Sequence, residues 1–211
     1  MKRILFYLCG IYNGGTEYET LNLMKNLNKE KYELLYYYGD KQYSNDEMIK
    51  EYNKYAKYID INNGIEVTTV IYCTNALNDI ELLPKISYKH SYYWFHYFWE
   101  DQEEFLALTL KSNYIDKVIT VSEYAKKRLQ ALDCLRNREN DVEIIHNILD
   151  KDEILEKAQQ KVTLERVDGL NLVTVARFAP IKGYYRVKQM INILIEEGIN
   201  FKWYICRKRE Q

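Results

Sequence analysis

Short apolar runs alternate with amphipathic or polar stretches along the whole chain, and this alternation limits the fold more than any other feature. RILFYL (3–8) is apolar almost throughout rather than at every second position, the pattern of a strand covered on both faces of a parallel sheet. ELLYYY (33–38), VTTVIYC (67–73), KVITV (117–121), VEIIHN (142–147), LNLVTVARF (170–178) and FKWYI (201–205) read as further strands. SYYWFHYFW (91–99) reads as a strand running into a loop. Helices are predicted between them, over about 16–27, 46–58, 76–83, 123–132, 152–161 and 182–198. Strand and helix in repeated succession build an α/β fold, a doubly wound parallel sheet with right-handed crossovers.

Such sheets bind ligands beyond the C-terminal ends of their strands. The residues that follow each strand are therefore the candidate site: Gly14 and Gly15, Thr74 and Asn75, His96, Ser122 and Glu123, His146 and Asn147, and Arg177 with Lys182. The stretch NGGTEYETLNLMKNL (13–27) is the most informative of these. Two adjacent glycines directly before a helix imply either a positive φ or a close approach of something to the backbone. Thr16, with Glu19 three residues later, has the spacing of a capping box. Ser122 is placed to cap the next clear helix, with Glu123 at its positive end.

Composition narrows the function classes. Thirty Lys and Arg against 31 Asp and Glu leave a net charge of -1, so no global field favours nucleic acid. The four cysteines, Cys9, Cys73, Cys134 and Cys206, have no paired spacing, which argues against a zinc site or a secreted disulfide framework. No apolar run approaches the roughly 18 residues of a spanning helix. These features predict a reduced, cytoplasmic protein without a metal site. The 21 tyrosines supply large half-polar surface but do not by themselves name a ligand.

The Gly-Gly-Thr-Glu loop, DKVITVSEYAKKRL (116–129), VEIIHNILD (142–150) and LVTVARFAPIKGYYRVKQMINIL (172–194), in this order, resemble the family 4 glycosyltransferases. The resemblance implies two Rossmann-like domains of GT-B type, an acceptor-side domain over 1–165 and the beginning of a donor-binding domain over 166–211. It implies a metal-independent, retaining transfer from a nucleotide-sugar donor, with no cofactor, to a glycan or lipid-linked acceptor in cell-surface polysaccharide synthesis. Gly14, Gly15, Arg177 and Lys182 match the residues that meet the donor diphosphate. His96 matches the histidine that faces the sugar, with His90 as a competing alignment. Thr16, Glu17, Asn75, Ser122, Glu123 and Asn147 fall on the acceptor side of the cleft rim. A lipid-linked acceptor would add peripheral contact with the inner face of the membrane.

The acidic donor-sugar motif of that family has no counterpart in residues 1–211, so these residues alone are expected not to transfer sugar. The segment 166–211 is expected to be mobile or to pack on another surface, including a second copy of the chain. Two other readings stand beside the transferase. One is a non-catalytic, sugar-binding remnant. The other is a dinucleotide-binding oxidoreductase with Asp40 past the second strand, although Gly10…Gly14-Gly15 does not give G-x-G-x-x-G.

Overall fold

The computed structural model describes every residue except 74–76, 97–99, 139–140, 177, 179 and 207–211. The chain divides into two units, Met1–Asp152 and Glu153–Gln211.

The first unit is built on a seven-stranded sheet. Its strands are β1 (Lys2–Gly10), β2 (Tyr32–Asp40), β3 (Lys57–Tyr58), β5 (Thr69–Tyr72), β7 (His90–Phe95), β8 (Lys117–Thr120) and β9 (Val142–Ile144), in the spatial order β3-β2-β1-β5-β7-β8-β9. All neighbouring pairs run parallel. The short strands β4 (Ile65–Glu66) and β6 (Ile86–Ser87) pair separately. The helices are α1 (Gly15–Asn26), α2 (Asp46–Asn53), α3 (Glu100–Lys111) and α4 (Glu123–Gln130), with a 3-10 helix over Leu77–Lys85.

Two layers of core lie on the two faces of this sheet. Ile4, Phe6 and Leu8 of β1, with Leu34, Tyr36 and Trp94, pack against Leu21 and Met24 of α1 and Met48 and Tyr52 of α2. Leu5 and Tyr7 of the same strand, with Tyr72, Tyr93, Phe95 and Val118, pack against Phe105, Leu106 and Leu110 of α3 and Leu129 of α4. Alternate residues of β1 thus enter opposite cores, and this is why the strand has no polar face. Tyrosine does much of the filling: Tyr7, Tyr36, Tyr52, Tyr72 and Tyr93 are all almost fully buried. Tyr7 meets Tyr37 and Tyr72 at ring-centroid distances of 5.1 and 5.5 Å, and such tilted ring pairs add to plain area burial.

Several boundaries differ from the sequence reading. The helix expected over 46–58 stops at Asn53, because Lys57 and Tyr58 leave to pair with β2. The segment expected as a helix over 76–83 is a 3-10 helix with Pro84 inside it. α3 was not anticipated; its buried Phe105, Leu106, Thr109 and Leu110 form a helical stripe.

In the second unit, β10 (Leu170–Val175) and β11 (Phe201–Cys206) form a parallel pair joined by α6 (Tyr184–Glu196). Helix α5 (Lys151–Ala158) spans the division between the units. Trp203 donates its indole N–H to Thr174 Oγ1 at 2.9 Å, and Tyr184 donates its hydroxyl to the Ala176 carbonyl at 2.8 Å. Val187, Ile191 and Leu194 of α6 are half-buried, while Met190 is exposed.

Candidate functional site

In a parallel sheet all C-terminal strand ends share one edge. The loops after β1, β7 and β8 carry Gly14-Gly15, His96 and Ser122, so the first unit holds these residues on a single rim. His90 opens β7 and therefore stands at the opposite edge from His96.

Of the two alternatives the sequence left open for the glycine pair, the structure does not show the positive φ. Neither glycine has a positive φ: Gly14, the N-cap of α1, is extended at φ -119° and ψ 173°, and the positive-φ glycines are Gly64, Gly183 and Gly198. The expected capping box is also absent, since no side chain caps α1. Glu19 instead uses Oε2 to accept the backbone N–H of Ile148 at 2.9 Å. Glu17, expected on the rim, is only 4% exposed, and its Oε2 lies 2.5 Å from where a Cβ at Gly14 would stand. A Cβ at Gly14 would require the carboxylate end of Glu17 to shift. Gly15 is different: a Cβ there would meet nothing within 4 Å. Neither backbone conformation nor packing requires glycine at position 15. Thr16 beside it is half-buried.

Two loops on this rim are fastened together. Ile11 donates its N–H to Ser44 Oγ at 3.0 Å, and Asn45 N–H donates to the Ile11 carbonyl at 2.6 Å. Tyr12 donates its hydroxyl to Asp40 Oδ2 at 2.8 Å, while Asp40 Oδ1 accepts the N–H groups of Gln42 and Tyr43. The Tyr12 hydrogen bond holds the Asp40 carboxyl below its ordinary range, and burial first, then Asp40, pushes the Tyr12 phenol up. Both carboxylate oxygens of Asp40 are thus engaged within the protein, which counts against a role on a nucleotide ribose.

Next along the rim stand Trp94 and His96, two residues apart on β7 and its exit, with ring centroids 4.8 Å apart. Trp94 is 3% exposed and shares its apolar layer with Leu8, Ile11 and Cys73. Trp94 Nε1 and His96 Nε2 are both buried without a hydrogen-bond partner among the described residues. Burial alone lowers the imidazole pKa to about 4, so His96 is neutral near pH 7. Leaving a buried donor or acceptor unpaired costs about 1–3 kcal/mol, so two such atoms side by side call for an explanation. Tyr72 Oη, in the other core layer, and Thr120 Oγ1 likewise have no hydrogen-bond partner among the described residues.

Ser122 caps α4 as its position suggested, its Oγ accepting the Ala125 N–H at 3.2 Å. Glu123 in the first turn of α4 is exposed, as is Asn147. His146 contacts the Val121 carbonyl through Nδ1 at 2.9 Å. In the second unit, exposed Lys182 ends a short 3-10 turn directly before Gly183, the left-handed N-cap of α6 with φ 71°. Asn75 and Arg177 lie outside the described residues. No group of three metal-ligating side chains occurs among the described residues. No helix among them is long and apolar enough to cross a membrane.

What these features define at the level of class is a doubly wound α/β protein whose candidate site residues Gly15, His96 and Ser122 share the rim at the strand C-termini. No family model and no curated protein matches the chain. Among solved structures it is similar to a UGT transferase from Siraitia grosvenorii in complex with UDP, at a TM-score of 0.46 and 9% identity. The alignment covers 100% of this chain and 66% of that one, under two thirds of its length. A likeness of that strength carries no function across.

Sequence reasoning reached Gly15, His96 and Ser122 through strand-end position alone. It did not single out Trp94, whose indole stands two residues before a rim histidine on the same strand face.

Proposed function

We propose that this chain is part of a glycosyltransferase that takes a sugar from a nucleotide-sugar donor to a glycan or lipid-linked acceptor, with retention, in cell-surface polysaccharide synthesis. The motif order that resembles family 4 suggests the reading. The observation that carries it is Gly15, an exposed glycine on the ligand rim that neither φ nor packing requires. An open position at a helix start suits the approach of an anionic or hydroxyl-rich ligand to backbone N–H groups.

The chemistry follows from the groups present. Glycosyl transfer builds negative charge on the departing diphosphate, and cations or helix N-termini placed against it lower the barrier. Gly15 at the start of α1 offers such amides in the first unit. Neutral His96 can accept or donate one hydrogen bond at Nε2 according to its tautomer, which suits a sugar hydroxyl better than a phosphate. The dinucleotide reading is disfavoured by the engagement of Asp40.

Calorimetric titration with a panel of nucleotide sugars, and with NADH, tests the proposal. Saturable binding of a nucleotide sugar and none of NADH is expected. Binding of NADH alone would overturn it.

A further inference from the structure

We propose that Trp94 is a ligand-binding residue, its indole N–H donating to an uncharged hydroxyl of a bound sugar while His96 Nε2 bonds the same ligand. The inference rests on the transferase reading only in taking this rim as the ligand edge.

The argument begins with supply and demand of hydrogen bonds. An indole N–H can only donate, and a buried one ordinarily has an acceptor. Trp203 behaves in this ordinary way, donating to Thr174 Oγ1 at 2.9 Å. Trp94, 3% exposed, has none among the described residues. The adjacent His96 Nε2 is unpaired as well, and the two rings are 4.8 Å apart between centroids. Neither residue sits in the sheet interior by accident of register. β7 delivers them at its C-terminal end, where parallel sheets bind ligands.

Chemistry then selects the class of ligand. The indole requires an acceptor, and a neutral imidazole nitrogen takes either a donor or an acceptor. A hydroxyl is both, so a polyol can satisfy the pair in either tautomer. An anion gains no charge from a neutral imidazole and would have to leave water to enter an apolar layer made of Leu8, Ile11 and Cys73. A sugar, neutral and bearing adjacent hydroxyls on an apolar ring, suits both the two nitrogens and the layer behind them.

The indole ¹H–¹⁵N resonances of the full chain provide the test. Trp94→Phe identifies the Trp94 signal, and Trp203 serves as the internal control. Methyl hexosides in millimolar excess are expected to shift the Trp94 signal and leave Trp203 in place, while inorganic phosphate and UDP shift neither. Trp94→Phe, which keeps an aromatic ring and removes the donor, should weaken hexoside binding by about five- to tenfold, while the smaller ring in a buried layer lowers the melting temperature of the still folded protein by a few degrees. If that variant fails to fold, Trp99→Phe and Trp203→Phe together assign the Trp94 signal by elimination and the titration still decides. A Trp94 signal that ignores hexosides, or answers phosphate instead, overturns the proposal; so does a signal held by a buried water in free and titrated protein alike. Nucleotide-sugar binding without movement of Trp94 would sink this inference and spare the transferase reading. Movement with hexosides in a protein that binds no nucleotide sugar would do the reverse.

Discussion

Tyr12 donates its hydroxyl to Asp40 Oδ2 at 2.8 Å, tying the loop after β1 to the end of β2. The bond fixes the approach to Gly14 and Gly15 from one side, and it withdraws Asp40 from any ligand. Tyr12→Phe should lower stability by about 0.5–1.5 kcal/mol, the range of one partly exposed hydrogen bond, and should not create NADH binding. A chemical denaturation series with a parallel NADH fluorescence titration checks both statements. Gain of NADH binding on freeing Asp40 would mean that the acid had been poised for a ribose.

His96 makes stability depend on pH in a defined window. The folded chain holds its pKa near 4 by burial, against 6.5 for an unperturbed histidine. Above pH 6.5 both folded and unfolded forms are neutral and the group contributes nothing. As pH falls below 6.5 the unfolded chain takes up a proton that the folded chain refuses, so stability is lost until pH approaches 4. The loss is on the order of 3 kcal/mol at most. Melting temperatures of wild type and His96→Gln, compared from pH 7 to pH 4, should run parallel above about pH 6.5, and the wild type should fall more steeply than the variant between pH 6.5 and pH 4, because the variant lacks this component of the acid slope. Parallel acid slopes would show that His96 is not buried as described.

The strands were legible because their chemistry is local. RILFYL and KVITV are apolar on both faces, and only a strand covered on two sides needs that. α3 was hidden because its acidic start follows the aromatic run 92–99, and the run drew attention from the 105, 106, 109, 110 stripe. The capping box was misread for a different reason. Glu19 does not turn back to the helix start but bonds the Ile148 N–H, 129 positions along the chain, and no local pattern announces such a partner. The candidate site was legible as positions and not as contacts. Strand ends named Gly15, His96 and Ser122, whereas the missing partner of Trp94 and the pairing of Tyr12 with Asp40 exist only in three dimensions.

Glu19 and Asn22 act together on the segment that leads out of the first unit. Glu19 accepts the Ile148 N–H, Asn22 Nδ2 donates to the Ile148 carbonyl at 2.8 Å, and Lys25 lies 3.7 Å from Asp150. Residues 145–150 have no regular structure of their own, so these side chains account for much of their order. Glu19→Ala with Asn22→Ala should speed hydrogen exchange at the Ile148 amide by about tenfold or more. Glu19→Gln, which keeps an acceptor, should not. Unchanged exchange in the double variant would show that the segment is held by something else.

Ser122 has a structural task that must be separated from any part in ligand binding. Its Oγ caps α4 through Ala125, and Ser122→Ala should cost about 0.5–2 kcal/mol while Ser122→Asp restores most of it. Thermal denaturation of the two variants measures this. Equal stability of the alanine variant and wild type would free the hydroxyl for another role.

Gly15 tests the central claim most directly. A Cβ there meets nothing within 4 Å among the described residues, so Gly15→Val should melt within a few degrees of wild type. The same side chain would occupy the space through which a ligand reaches the start of α1. Calorimetric titration of both proteins with the nucleotide sugar that the wild type binds is therefore expected to give saturable binding for wild type and none for Gly15→Val. Undiminished binding in a well-folded Gly15→Val protein would contradict the account, because the open glycine on the rim would then have no ligand to explain it.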